Sequence, residues 1–139
     1  MVTTRTHKIV GSLLEVSMER DWRCDIPEQR LVWAQVTSEA LKIIEGKWKT
    51  IILCQLFAAK VPLRFSELER RIEGVNQKML IQQLKQLEKD GIILRTLYPE
   101  VPPRVEYSLT ELGTALGPSM AALIEWDLLR RETLGLESG

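Results

Sequence analysis

The sequence predicts a mostly helical α+β fold in which a winged helix-turn-helix is carried between N- and C-terminal helices. Three observations lead there. Residues 66–90 read as two short helices joined by a glycine-containing turn. Residues 92–109 read as two strands separated by Pro99, Pro102 and Pro103, which cannot continue a ladder. Thr110 then caps an apolar helical pattern that continues to Trp126. The expected division is an N-terminal extension and helix over 1–37, a winged helix-turn-helix core over 38–110, and a C-terminal dimerisation helix and tail over 111–139.

Taken in order, Ser38 opens a helical pattern through Leu41, Ile44 and Trp48, interrupted near Gly46. The run KWKTIILCQLF is apolar over too wide an arc for a surface stripe and suits a central helix. Val61 to Arg64 is extended, and Ser66 is the expected N-cap of a helix carrying Leu68 and Ile72, which Gly74 ends. A second helix comes next over residues 76–90, capped by Asn76 and stopped by Gly91 in a left-handed conformation. Leu80, Leu84 and Leu87 fall on one of its faces, and Lys78, Gln82, Lys85 and Lys89 lie almost opposite. Ile92 to Tyr98 and Arg104 to Leu109 form a two-stranded ribbon with a rigid tip, and Pro118 breaks or kinks the last helix.

Composition narrows the function. With 139 residues, 45% hydrophobic, the chain can build one core but not two. It contains neither a long uncharged apolar stretch nor a secretory signal pattern, so a cytoplasmic protein with no membrane partner is expected. Two cysteines and one histidine supply no ordinary zinc site, and no catalytic triad, phosphate-cradling glycine loop or metal cluster is legible. Neither an enzyme nor a cofactor is expected. Net charge is zero, but residues 46–107 hold eleven Lys or Arg against seven Asp or Glu, whereas the flanks sum to −1 and −3. The cationic surplus coincides with the helix-turn-helix and the ribbon.

That placement points to duplex DNA. A helix entering the major groove needs side chains long enough to reach base edges and cations aimed at the flanking phosphates. Gln77, Lys78 and Gln82 are the base-edge candidates, since Gln can pair bidentately with adenine and Lys can donate to guanine. Lys85 and Lys89 suit phosphate; Arg104, at the wing tip, suits a minor groove or a phosphate, with Arg95 in support. For an isolated amphipathic helix a merely solvated polar face would be the better reading. Helix, turn, helix and wing in sequence favour DNA. The alternative is a winged-helix protein-interaction module that does not bind DNA, which zero net charge permits.

The segments EGKWKTIILCQLF, LRFSELERRIEGVNQKMLIQQLKQLEKDGII and RTLYPEVPPRVEYSLTELG, with the later Trp126, resemble the HxlR-type bacterial winged-helix regulators from about Ser38 to Trp126. The resemblance implies a homodimer assembled from N- and C-terminal helices, recognition helices in successive major grooves, and wings alongside. It implies DNA contact by Gln77, Lys78, Gln82 and Arg104. Two positions depart from the pattern. The sensing cysteine and following proline of many such regulators are replaced by Gln35 and Val36, and a second family glycine is replaced by Glu45.

Regulation is therefore less legible than DNA binding. Cys24, beside Trp22 and Arg23, could sense an oxidant or electrophile if the cation lowers its pKa, although an inert cytosolic thiol is the simpler reading. Cys54 is expected to be a small core residue. Trp22, Trp33, Trp48 and Trp126 could line a pocket for an unidentified small-molecule effector, but packing explains them as well. Leu112, Leu116, Met120, Leu123 and Leu128, with Leu13, Leu14 and Val16, offer more apolar surface than one small core uses, so they either mediate self-association or fold back on their own subunit.

Overall fold

The computed structural model describes residues 27–136. The elements are α1 (Pro27–Ile44), α2 (Lys47–Ala59), β1 (Leu63–Arg64), α3 (Phe65–Arg71), α4 (Gln77–Lys89), β2 (Ile93–Tyr98), β3 (Arg104–Leu109), α5 (Glu111–Ala115) and α6 (Gly117–Leu134). Cys24, Trp22 and the N-terminal Leu13, Leu14 and Val16 lie outside the described residues.

Helix α2 runs through the centre and buries Ile52, Leu53 and Leu56 against Leu68, Ile72 and the apolar face of α4. Lys60 ends it in the left-handed region at φ 58°, and the turned chain brings buried Leu63 opposite Tyr107. Helix α3 starts two residues earlier than the Ser66 cap would place it, with Arg64 as its N-cap. The N–H of Arg64 donates to the Glu67 carboxylate at 3.2 Å, and Ser66 lies inside the first turn.

Helix α4 conforms closely to its sequence pattern. The Asn76 side chain accepts from the Met79 N–H at 2.7 Å, satisfying one donor the first turn leaves open. Leu80, Leu84 and Leu87 are buried together, and Gly91, at φ 77°, lets the chain turn straight into β2. The sheet has three strands where the sequence suggested two, in the order β1-β3-β2, all antiparallel. The β2–β3 register runs from Ile93 opposite Leu109 to Tyr98 opposite Arg104. The third strand, β1, pairs only Leu63 and Arg64 with Tyr107 and Glu106, residues over forty positions away, which local pattern does not disclose.

The root of the wing is tied to the helix after it. The Thr110 hydroxyl donates towards the carbonyls of Gly91 (2.6 Å) and Ile92 (3.1 Å) and accepts from the Gly113 N–H at 3.0 Å. Gly113 itself sits against the Ile92 carbonyl so closely that a Cβ would come within 2.1 Å of that oxygen. Pro118 lies in the first turn of α6, where the absent N–H costs nothing, so the pattern after Thr110 divides into two helices.

Two further expectations are corrected. Ser38 is an interior residue of α1, which already begins by Pro27. Cys54 is exposed, because α2 turns its buried face through Ile52, Leu53 and Leu56 and leaves position 54 outside it. The outer helices carry many of the exposed apolar side chains, among them Leu31 and Leu41 on α1, and Leu123, Ile124, Trp126 and Leu129 on α6. No helix among the described residues is long and apolar enough to cross a membrane.

Candidate nucleic-acid interface

Helix α4 stands on its leucine face and presents the opposite one to solvent. At 100° per residue, Lys78, Gln82 and Lys89 lie within a narrow arc opposite Leu80, Leu84 and Leu87, and all three are exposed. Gln77, Ile81, Lys85 and Glu88 occupy the flank that turns towards the wing. Lys85 sits at the edge of that flank nearest the first group. The expected long polar face is present and its underside is locked by packing, so its side chains move with the core.

Between α4 and the wing lies an open groove of about 760 Å³. It collects Gln77, Lys85, Arg95 and Arg104 from the sequence-predicted set and adds Arg64, which sequence reasoning missed. Lys78, Gln82 and Lys89 do not line it. Arg64 arrives because β1 pairs with β3, which swings the start of α3 beneath the wing. Its sequence signal was adjacency to the first helix of the helix-turn-helix pair. Two carboxylates, Glu88 and Glu100, share the groove and partly offset its cations.

Arg104 is placed differently from the expectation of a cation at the wing tip. It is the first residue of β3, at the base of the loop, opposite Tyr98 across the last rung of the ladder. Its Nη2 and Nε donate to the two oxygens of Glu100 at 2.8 and 3.3 Å, and its Nη1 donates to Glu106. The guanidinium carbon lies 3.9 Å from the centre of the Tyr98 ring. The hydrogen bonds from Arg104 hold the Glu100 carboxyl below the ordinary carboxylate range, against the opposing effect of desolvation, and the Glu100 carboxylate raises the Arg104 pKa in return. The tip itself is apolar: Val101 is fully exposed, and Pro102 and Pro103 are exposed beside it.

The three described tryptophans sit on three different helices. Trp48 packs against the core with Lys47 4.6 Å above its ring, Trp33 lines a shallow groove on α1, and Trp126 is exposed on α6. Gln35, which stands where a sensing cysteine would be expected, hydrogen-bonds Glu39 on the surface of α1 at 3.2 Å. Among the described residues no cluster of His, Cys, Asp or Glu could hold a metal ion.

Comparison with known proteins agrees with this architecture. The HxlR-like helix-turn-helix family matches residues 43–133. A helix-turn-helix-type transcriptional regulator from Methanothermobacter thermautotrophicus is 53% identical over 87 residues, which is 63% of this chain and 65% of the relative, just under two thirds of its length. Among solved structures, the redox regulator HypR in its reduced form aligns over 71% of this chain and 96% of its own, with 40% identity and a TM-score of 0.64. A transcriptional regulator of the MarR family from Enterococcus faecalis V583 aligns over 73% of this chain and 91% of its own, with 35% identity and a TM-score of 0.67.

Proposed function

The chain belongs to the HxlR-like helix-turn-helix family, and from that premise we propose that it is a transcriptional regulator that binds duplex DNA sequence-specifically as a homodimer. The observation that carries the reading is the joint geometry of α4 and the wing. A packed helix projects long polar side chains outward, and beside it runs a cation-lined groove. With α4 in a major groove, Lys78 and Gln82 face base edges and Gln77 reaches them from the flank. Lys85, Arg95 and Arg64 face the phosphates of the strand that passes between helix and wing, and Lys89 meets the backbone farther along.

The homodimer is supported by the two outer helices. Helix α6 has exposed apolar side chains on several sides and no buried residue, a pattern for a helix that is covered by something else. A second copy supplies matching surface, and two-fold symmetry would set two α4 helices against successive major grooves. As a DNA-binding regulator the protein would work in the cytoplasm.

The proposal includes an effector, although its chemistry differs from the usual one. HypR is a redox regulator by name. Here Gln35 cannot perform thiol chemistry, so a redox signal would need another thiol: Cys24, which lies outside the described residues, or the exposed Cys54.

Titration of fluorescent duplex DNA over a salt series tests the reading. Gln82→Ala and Lys78→Ala should each weaken binding to the preferred operator by about 1–3 kcal/mol with folding intact. Lys85→Ala and Arg95→Ala should each reduce the salt slope by roughly 1. Unchanged affinity in all four variants would overturn the interface. Absence of any salt-dependent binding would instead favour an interaction module that does not bind DNA.

A further inference from the structure

We propose that the crevice bounded by the end of α2, the turn into β1, the end of β3 and α5 is an effector site, and that it takes a small carboxylic acid with an apolar body, its carboxylate held by Lys60 and Ser108. As a binding site it stands apart from the DNA reading; its regulatory consequence rests on that reading.

The crevice has a volume of about 390 Å³, ordinary for a small-ligand site. Its lining is mostly apolar, with Leu56, Phe57 and Leu109 the least exposed, because α2 carries its core face as far as its last turn. Three polar residues complete the lining: Lys60, Ser108 and Thr114. Thr114 is already engaged, its hydroxyl donating to the Thr110 carbonyl at 2.9 Å. The Lys60 ammonium and the Ser108 hydroxyl have no hydrogen bond or ion pair among the described residues, and neither is sealed from solvent. None of the lining residues is acidic, in contrast to the groove beside the wing with its Glu88 and Glu100. One ammonium and one hydroxyl beside a hydrocarbon wall match a single monoanionic headgroup, whereas a doubly charged phosphate ester would leave half its charge unmatched.

Lys60 also stands where the backbone is strained. It closes α2 in the left-handed region at φ 58°, where glycine is the usual residue because a Cβ crowds the neighbouring carbonyl. A glycine there would ease the strain and lose the cation.

The location gives a ligand something to control. Residues 60–62 run through Leu63 into Arg64, which lines the groove beside α4, and Thr114 stands just before the joint between α5 and α6. Gly117, the first residue of α6, rests on Phe57 so closely that a Cβ would come within 3.3 Å of the ring. A ligand body in the crevice thus touches both the turn that leads to Arg64 and the joint that leads to α6. States of the chain that differ at either place would bind it unequally, and DNA and ligand would then change each other's affinity by the same factor.

NMR titration of isotope-labelled protein with benzoate, hydrocinnamate and octanoate at neutral pH tests the site. At least one acid should bind saturably and move the amide signals of Phe57, Lys60, Ser108 and Thr114, and its uncharged primary amide should bind about tenfold more weakly. Lys60→Gly should melt no lower than the wild type and lose about tenfold in affinity for the acid, Lys60→Arg should stay within about threefold of the wild type, and Ser108→Ala should lose roughly threefold. Equal binding of acid and amide, undiminished binding by Lys60→Gly, or failure of all three acids to move those signals would each overturn the proposal. If the same signals move with protein concentration and not with acid, a second copy covers the crevice and the proposal fails.

The regulatory consequence is read separately, by titrating duplex operator with and without the acid that binds best. Wild-type affinity for DNA should change about fivefold or more, and that of Lys60→Gly should not respond. Unchanged wild-type affinity would remove the regulatory role. Absence of any DNA binding would overturn the DNA reading, and the NMR titration would still decide the site.

Discussion

Helices α4 and α6 are both apolar enough to need a partner, and they meet that need in different places. Helix α4 completes its own burial, with Leu80, Leu84 and Leu87 removed from solvent by α2 and the surrounding core. Helix α6 is 18 residues long, and none of them is buried. Its Leu123, Ile124, Trp126 and Leu129 point to different sides, each more than half exposed. The single stripe of α4 marks an element that packs on one side and presents a polar face to solvent on the other. The all-round pattern of α6 marks an element to be enclosed, and its own subunit encloses little of it. On the proposed reading, recognition would be complete within one chain, while assembly would need two.

The contrast can be broken from the α4 side first. Leu84→Ala should cost about 2–5 kcal/mol of folding stability by urea denaturation, since a fully buried leucine leaves both lost transfer energy and a cavity. Next, the double variant Ile124→Glu/Leu129→Glu should leave the thermal transition of the winged core in place. By sedimentation it should yield monomers, and operator affinity should fall on the order of 100-fold as the link between two half-sites is lost. A dimer that survives both charges would place the interface elsewhere.

Two smaller effects sharpen the same comparison. Asn76→Ala removes the cap that starts α4 and should destabilise the protein by about 1 kcal/mol in denaturant titration. On α6, Asp127 accepts from Arg130 at 2.8 Å and Arg131 at 2.7 Å. Those bonds, that from Arg131 foremost, hold its carboxyl below the usual range. A depressed pKa contributes stability only above the carboxylate's ordinary pKa and loses it as pH falls through the folded value. Because these pairs keep about a third of their surface in solvent, Asp127→Asn should leave the neutral-pH melting temperature unchanged within error, and acidification should not separate the variant from the wild type.

The sequence was most legible where neighbours in sequence are also neighbours in space. Asn76, the leucines of α4 and Gly91 delimit their helix through contacts a few residues apart, and β3 begins and ends where its alternation does. Legibility fell where a distant or external partner decides the outcome. Helix α1 is not legible before Ser38 because Leu31, Val32 and Val36 have too little same-chain packing to impose a clear stripe. Strand β1 needed Tyr107, and Arg64 entered the groove only through that pairing. Cys54 was misplaced because α2 is apolar over so wide an arc that composition alone does not separate its covered side from its open one. For Arg104 a local signal does exist: alternation along β3 puts Glu106 on its own face, and Glu100 lies just across the turn.

The knot at Thr110 sets the stiffness of the whole arrangement. One hydroxyl binds the carbonyls on which α4 hands over to β2, and it also caps α5, whose Gly113 rests directly on one of them. From α5 the chain enters α6 with its hydrogen bonding barely interrupted, through Leu116 to Gly113 and Met120 to Leu116. The helix proposed to read and the helix proposed to assemble therefore meet at a joint of close contacts. A rotation imposed on α6 would bear on the end of α4 through these contacts. The spacing that two subunits measure along DNA would then be written at this joint, far from any base, and a signal need only turn it.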